Sequence, residues 1–207
     1  MENKPLLVLG TRNRKKAEEL IRLLAPVGLE LKTLVDYPDA LDVKETGDTF
    51  AANAALKAVQ QAKHLGRWVL GEDSGLVVDA LDGAPGIYSA RYAGPGATDE
   101  DNIRKLLEEL AHVPVDRRTA RYVCHVCLAD PSGRLRAEAE GACRGRIVHQ
   151  PQGRSGFGYD PVFEVVEYHR TFGTLGPVVK GCISHRARAV GRLRHQLIEL
   201  VDSGQWR

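Results

Sequence analysis

Short apolar runs and stretches with helical periodicity alternate along the first half of the chain, and this pattern favours an α/β fold. The first apolar run, residues 5–9, predicts a buried strand, and the helix after it places Ala17, Leu20, Ile21 and Leu24 on one side. A hairpin interrupts the alternation later, so we expect a mixed β-sheet with flanking helices. Expected strands cover residues 5–9, 30–35, 67–70, 76–81, 118–128 and 135–145; further helices cover 49–65 and begin near Thr98 and Ser184.

Composition narrows the class of protein. The 207 residues are 43% apolar and 27% charged, as in folded globular proteins, and no Gly- or Ser-rich linker divides them. We therefore expect one two-lobed domain over residues 1–207. The net charge of +2 does not indicate binding to nucleic acid or to an anionic membrane. No apolar stretch approaches the roughly 20 residues of a membrane span, and residues 1–9 lack the features of a signal peptide, so we expect a cytoplasmic protein without a membrane partner.

Four scattered cysteines in such a chain are expected to stay reduced. Cys124-His125-Val126-Cys127 has the spacing of half a zinc site, but it lies in a run typical of a strand. Residues three apart on a strand point to opposite faces, and no second Cys-x-x-Cys supplies the remaining ligands. We therefore do not expect a structural zinc ion bound by Cys124 and Cys127.

The loop after the first strand, residues 10–16, is the first candidate binding site. It precedes a helix, and free backbone N–H groups at a helix N-terminus favour anions. Arg14, Lys15 and Lys16 crowd that positive end, where they are mildly destabilising unless an anion such as phosphate lies among them. A solvated basic turn is the alternative. The loop lacks the spacing of a P-loop.

Acidic residues follow the strand expected at 67–70. Glu72 and Asp73 repel each other unless a cation intervenes, and Mg²⁺ takes carboxylate oxygens together with substrate phosphates. Glu45, in the loop before the helix at 49–65, is a third candidate ligand. Asn53 and Lys57 share a face of that helix and can reach one ligand. A solvated acidic turn and a polar helix edge are the alternatives.

Two later segments carry groups suited to a planar base. Phe157 and Tyr159 lie among glycines and either stack on a base or close the edge of the core. Near the start of the last helix, His185 and Arg186 offer hydrogen-bond donors that need acceptors from elsewhere, such as base carbonyls or phosphates.

Taken together, these blocks resemble the inosine triphosphate pyrophosphatase family over nearly the whole chain and in the right order. Several blocks at matching separations are more specific than any single loop. They are Thr11-x-Asn13-x-x-Lys16, Glu45-Thr46-Gly47, Phe50-x-x-Asn53-Ala54-x-x-Lys57, Glu72-Asp73-Ser74-Gly75-Leu76, residues 83–91, Phe157-Gly158-Tyr159-Asp160-Pro161 and Ile183-Ser184-His185-Arg186.

The resemblance implies a homodimer with an elongated mixed sheet and two lobes around a cleft. It also implies Mg²⁺-dependent hydrolysis of dITP, ITP and XTP to the monophosphate and pyrophosphate. It assigns metal or water to Glu45, Glu72 and Asp73, with Asp73 as proton acceptor. The residues it assigns to substrate are Thr11, Asn13, Lys16 and Lys57 for the triphosphate, Ser74, and Phe157, Gly158, Tyr159, Asp160, Lys180, His185 and Arg186 for the base.

Two positions depart from the family pattern. Arg12 stands where the family usually has a glycine. It is expected to narrow the opening through which the phosphates enter or to change the charge of that opening. Lys180 keeps a spacing of five residues to His185 but lacks the usual acidic and Lys-rich neighbours.

Two rival functions remain at this point. A pyrophosphatase for modified pyrimidine or methylated nucleotides would share the phosphate contacts but not the base contacts. A nucleotide sensor or RNA-binding module would bind without turnover, although a binder of polyanions gains little from three acids.

Overall fold

The protein is described here from a computed structural model, which describes residues 4–206. Its strands and helices follow one another in the order expected of an α/β chain. Strands are β1 (Leu6–Leu9), β2 (Glu30–Thr33), β3 (Val69–Val78), β4 (Thr119–Ala129), β5 (Leu135–Ile147), β6 (Phe163–Val165) and β7 (Arg170–Thr171); helices are α1 (Arg14–Leu24), α2 (Phe50–Leu65), α3 (Asp99–Glu109), α4 (Phe172–Ile183) and α5 (His185–Asp202).

The seven strands form one mixed sheet in the order β2-β1-β3-β4-β5-β6-β7. β1 pairs in parallel with β2 and β3, whereas β6 pairs antiparallel with β5 and β7. The prediction of an α/β fold with a mixed sheet is therefore confirmed. In the part of the chain covered by residues 4–206, none of the helices combines the length and the apolar character needed to cross a bilayer.

The described residues divide into two compact units. The first unit holds residues up to Asp73, Cys124–Gly141, and those from Arg186 onward; the second holds Ser74–Val123 and Ala142–His185. The boundaries fall within β3, β4 and β5 and between α4 and α5. One core of the first unit packs β1 against α1 and α5, and another packs β1 and β3 against α2. The core of the second unit contains three stacked or tilted aromatic rings, those of Tyr122, Phe163 and Phe172.

Local sequence signals explain the helix starts. Thr49 caps α2 by accepting from the backbone N–H of Ala52 at 3.1 Å. Thr98 and Asp101 form a capping box at the start of α3, in which each side chain accepts from the other residue's backbone N–H at 3.1 Å. These two helices therefore begin where their capping residues predict.

The structure differs from the sequence-based expectations in several places, and β6 and β7 were not predicted. The strands expected at 67–70 and 76–81 are one strand, β3, because Gly71 and Gly75 continue in extended structure. Helix α4 was missed, because Gly176 and Pro177 break its pattern; Gly176 has a φ of 78° and kinks the helix. Finally, Ile21 is 39% exposed rather than packed on the inner side of α1.

Candidate active site

Seven charged side chains of the first unit meet in what we call the acid–base cluster. It contains three cations and four carboxylates, so its formal charge is −1. An excess negative charge in a largely buried cluster favours an added cation. The members are Lys16, Glu19, Glu45, Lys57, Glu72, Asp73 and Arg186.

Lys57 links two of the acids. Its Nζ lies 2.9 Å from Oε1 of Glu45 and 2.8 Å from Oδ1 of Asp73. Asn53, one turn earlier on α2, is fully buried; its Nδ2 approaches Oδ2 of Asp73 at 3.4 Å and its Oδ1 accepts from the backbone N–H of Gly47 at 2.8 Å. Helix α2 thus orients Asp73 and holds the loop that carries Glu45.

Glu72 and Asp73 have different partners, as expected of adjacent residues on a strand. Glu72 is 3% exposed, and its two oxygens lie 2.8 Å from a guanidinium nitrogen of Arg186 and 3.1 Å from Nζ of Lys16. The other end of the Arg186 guanidinium contacts Glu19. Glu72 is therefore held by two cations, whereas Asp73 faces Lys57.

Burial and charge shift the proton affinities in this cluster. Burial raises the pKa of Asp73 above that of an ordinary aspartate, and the lowering by Lys57 and Lys16 only partly offsets it. Burial alone would lower the pKa of Lys57, but the negative charges of Asp73, Glu72 and Glu45 raise it. Asp73 therefore binds a proton more readily than an exposed aspartate, while Lys57 stays charged.

The first loop is organised by its own side chains. Asn13 caps α1, because its Oδ1 accepts from the backbone N–H of Lys16 at 3.1 Å, and Oγ1 of Thr11 accepts from the N–H of Asn13 at 3.1 Å. The guanidinium of Arg12 donates to the carbonyl oxygens of Ala40 at 2.6 Å and Leu41 at 3.3 Å. Arg12 therefore ties the first loop to the segment before α2.

A second group of buried polar side chains, which we call the Asp160 cluster, lies in the second unit. Asp160 is 1% exposed and accepts from Nζ of Lys180 at 2.6 Å, from the backbone N–H of Phe157 at 2.9 Å and from the hydroxyl of Tyr122 at 3.4 Å. The ring of Tyr122 stacks on that of His185, with centroids 4.6 Å apart and planes 11° from parallel. Asp160 thereby fixes a lysine, a loop and an aromatic ring that supports a histidine.

The two aromatic residues of the loop after β5 have different surroundings. Tyr159 lies in the core, and its hydroxyl donates to the carbonyl of Ser89 at 2.8 Å. Phe157 is half-buried, with Nζ of Lys180 4.4 Å from its ring centroid. The backbone N–H of Gly158 donates to Asp99 at 2.9 Å. Of the two rings, only that of Phe157 lies outside the core and is suited to stacking.

The sequence-predicted site residues thus fall into two sets. The first unit holds Thr11, Asn13, Lys16, Glu45, Lys57, Glu72, Asp73 and Arg186, and the second holds Ser74, Phe157, Gly158, Tyr159, Asp160, Lys180 and His185. Arg186 was expected beside the base, but its 1% exposed side chain contacts Glu72 and Glu19.

Residues that sequence reasoning did not include in the site are Glu19, Asp99 and Tyr122. Glu19 lies three residues after Lys16 on α1, and this spacing places both on one face. Tyr122 lies in the alternating pattern of β4, and this pattern predicts only that its side chain packs in the core. Asp99 lies in the first turn of α3, where an acid is expected for helix stability alone.

The carboxylates of Glu45, Glu72 and Asp73 are hard oxygen donors of the kind that bind Mg²⁺. Their oxygens do not form one tight group of ligand atoms, since lysines lie among them. Mg²⁺ is usually bound by one or two carboxylates together with water and substrate phosphates. Asp73 and Glu45, which share Lys57, fit that ligand set best.

Comparison with known proteins identifies close relatives of this chain. Residues 7–196 match the model of the Ham1 family. A dITP/XTP pyrophosphatase from Rhodopirellula baltica is 56% identical over 95% of each chain, and one from Geobacillus kaustophilus is 50% identical over 94% of this chain and 95% of its own. The solved structure of a HAM1 protein from Coxiella burnetii covers 94% of this chain and 98% of its own, with 37% identity and a TM-score of 0.85.

Proposed function

Because this chain belongs to the Ham1 family, we propose that it hydrolyses the non-canonical purine nucleotides dITP and XTP, and ITP by the same contacts, to the monophosphate and pyrophosphate. The resemblance of its sequence blocks to the inosine triphosphate pyrophosphatase family is thereby confirmed. The observation that carries the chemical part of the proposal is the buried Asp73 carboxylate, with a raised pKa, 2.8 Å from Lys57.

Asp73 is the proposed proton acceptor. A water molecule that attacks the α-phosphorus must lose a proton, and a carboxylate with a raised pKa takes that proton more readily than an ordinary one. Lys57 holds Oδ1 of Asp73 at 2.8 Å, whereas Oδ2 has the longer contact of 3.4 Å with Nδ2 of Asn53, so Oδ2 is the oxygen proposed to accept the proton of the attacking water. Lys16 and the N–H groups at the start of α1 stabilise the negative charge of the departing pyrophosphate.

Thr11 and Asn13 are proposed to position the triphosphate through the first loop, whose shape their hydrogen bonds set. Glu45 and Asp73, with Glu72, are the proposed ligands of Mg²⁺, and the ion, when bound, supplies charge neutralisation on the phosphates. Arg186 donates to Glu72 and Glu19, so we assign it the positioning of Glu72 rather than contact with the base.

The Asp160 cluster is proposed to hold the base. Phe157 stacks on it, and Gly158, Tyr159 and Asp160 shape the loop beneath that ring. Lys180 and His185 are donors, and the carbonyl at the six-position of hypoxanthine or xanthine accepts from donors, whereas the amino group of adenine does not. A donor left without an acceptor costs about 1–3 kcal/mol, which lowers the rate for ATP several-fold to a hundredfold. Ser74 is assigned to substrate on the resemblance.

We also propose that the protein is a cytoplasmic homodimer, as the resemblance implies. Light scattering on the full chain tests the assembly: a mass near twice 22.7 kDa is expected, and a mass of 22.7 kDa would contradict it.

The test of the function is a comparison of nucleotides with identification of the product. Pyrophosphate release is measured with dITP, XTP, dATP, dGTP and dUTP in the presence of Mg²⁺. We expect the largest kcat/KM for dITP and XTP, and pyrophosphate rather than single phosphates as the product. Equal rates for all five nucleotides would contradict the proposed base selectivity, and release of phosphate alone would contradict attack at the α-phosphorus.

A further inference from the structure

The hairpin of β4 and β5 carries polar residues on one face that the proposed function does not use. Cys124, Val126 and Leu128 of β4 lie in the core that includes α1 and α5, whereas Cys127 lies in the core that includes α2. The expectation that Cys124 and Cys127 face opposite ways is confirmed. His125, two residues from Cys127, shares the face of that cysteine.

β5 supplies a third group to this face. Ligand atoms of His125, Cys127 and Glu138 lie within 4.8 Å of one another, and among residues 4–206 no other three His, Cys, Asp or Glu side chains meet so closely. A tetrahedral metal ion bonded to nitrogen, sulfur and oxygen at about 2.0–2.3 Å places those atoms about 3.3–3.8 Å apart. The distance of 3.6 Å from Nε2 of His125 to a carboxylate oxygen of Glu138 is of this size.

A second observation concerns the imidazole of His125. Both its ring nitrogens are shielded from solvent, and neither has a hydrogen-bond partner. The nearest carboxylates, those of Glu138 and Glu140, lie 3.6 and 4.0 Å away, beyond hydrogen-bond range. A buried polar group without a partner is costly, so a histidine placed this way is suited to binding a ligand through a ring nitrogen.

We propose that His125, Cys127 and Glu138 bind one zinc-like divalent ion, through a ring nitrogen, the thiolate sulfur and a carboxylate oxygen. The thiol proton passes to solvent as the metal–sulfur bond forms, and water completes the fourth position. The Glu138 side chain is 65% exposed, which gives the ion a route in from solvent. Glu140, 4.0 Å from Nδ1 of His125, adds a negative charge beside the proposed ligands.

This ligand set differs chemically from that of the acid–base cluster. Nitrogen and sulfur ligands favour zinc, copper, nickel or cobalt ions, whereas Mg²⁺ takes oxygen. Sequence reasoning missed the site because it paired Cys124 with Cys127, three residues apart. The informative pair is His125 and Cys127, and the third ligand comes from the partner strand.

The test uses the full untagged chain, freed of transition metals and kept in excess Mg²⁺ so that the acid–base cluster does not take up zinc. Zn²⁺ is titrated against a chromophoric chelator, and Co²⁺ is added separately to record the sulfur-to-cobalt charge-transfer absorption. We expect one Zn²⁺ per chain and a cobalt–thiolate band. Cys127→Ser abolishes the band and, like His125→Gln and Glu138→Gln, weakens Zn²⁺ binding by about tenfold or more.

Cys182→Ser is the matched control, because Cys182 is an exposed cysteine outside the cluster and its removal leaves the site intact. Circular dichroism in the presence of a chelator confirms that each variant is folded. The proposal is overturned if the parent chain binds no stoichiometric Zn²⁺, if Cys127→Ser binds it as the parent does, or if Cys182→Ser removes the cobalt band. The readout needs no nucleotide, so its failure is distinct from failure of the proposed hydrolysis.

Discussion

Helix α2 reaches the acid–base cluster because it packs directly against β3 at Gly71. A Cβ atom at this position would lie 2.2 Å from the carbonyl oxygen of Ala54 and 2.6 Å from the backbone nitrogen of Ala58. Both neighbours are backbone atoms of α2, so Gly71→Ala can be accommodated only if the helix moves away from the strand.

The required movement follows from these distances. Ordinary contact of a Cβ begins near 3.4 Å, so the helix must move by about 1 Å. Lys57 lies between Ala54 and Ala58 on α2 and contacts Asp73 and Glu45 at 2.8 and 2.9 Å. A displacement of that size moves the backbone of Lys57 away from β3 and misplaces its ammonium relative to Asp73. We expect Gly71→Ala to lower kcat/KM for dITP about a hundredfold and to cost about 1–3 kcal/mol of unfolding free energy.

The assay is pyrophosphate release from dITP together with thermal unfolding; for a chain of this size the cost corresponds to a Tm lower by about 2–12 °C. Gly191→Ala is the matched control, because a Cβ there meets no atom within 4 Å and α5 tolerates alanine. The control should keep full activity and an equal or higher Tm. If Gly71→Ala has the same Tm as the control, the close approach of α2 to Gly71 is refuted. If its Tm falls but its kcat/KM is unchanged, the position of Lys57 does not depend on that close approach.

Three further predictions concern the two clusters. Arg186→Met removes the guanidinium that pairs with the buried carboxylate of Glu72 and should cost about 3–5 kcal/mol, a fall in Tm of about 6–20 °C; an unchanged Tm would contradict this buried pairing. Because the pKa of Asp73 is raised, the acid limb of kcat/KM should lie above about pH 3.9, and a limb at or below that value would exclude Asp73 as the titrating group. Tyr122→Phe keeps the stack with His185 but removes a hydrogen bond to Asp160, so KM for dITP should rise a few-fold with kcat retained; a loss confined to kcat would contradict this role.

Local sequence signals predicted the local parts of the structure. The caps Thr49 and Thr98 and the adjacent acids Glu72 and Asp73 each act over a few residues, so their placement follows from short-range geometry. Helix α4 was not predicted from local sequence signals, because the kink at Gly176 interrupts its helical periodicity.

Long-range partners could not be predicted in this way. Arg186 and Glu72 are 114 residues apart in the sequence, and their contact depends on how α5 packs beside β3. Glu138 likewise reaches His125 only through the register of the hairpin. Side-chain types indicated the chemistry of the site, while tertiary packing decided which cation holds which acid.

The most direct test of the proposed catalytic role is the rate of pyrophosphate release from dITP by Asp73→Asn in Mg²⁺, compared with Asp116→Asn, which carries the same change at an exposed position. Ionisation of Asp73 costs the fold stability as pH rises through its raised pKa, so Asp73→Asn should have at least the parent Tm at pH 7. We expect turnover to fall about a hundredfold or more, with dITP affinity kept within a few-fold. Turnover equal to that of Asp116→Asn would contradict the proposed role of Asp73.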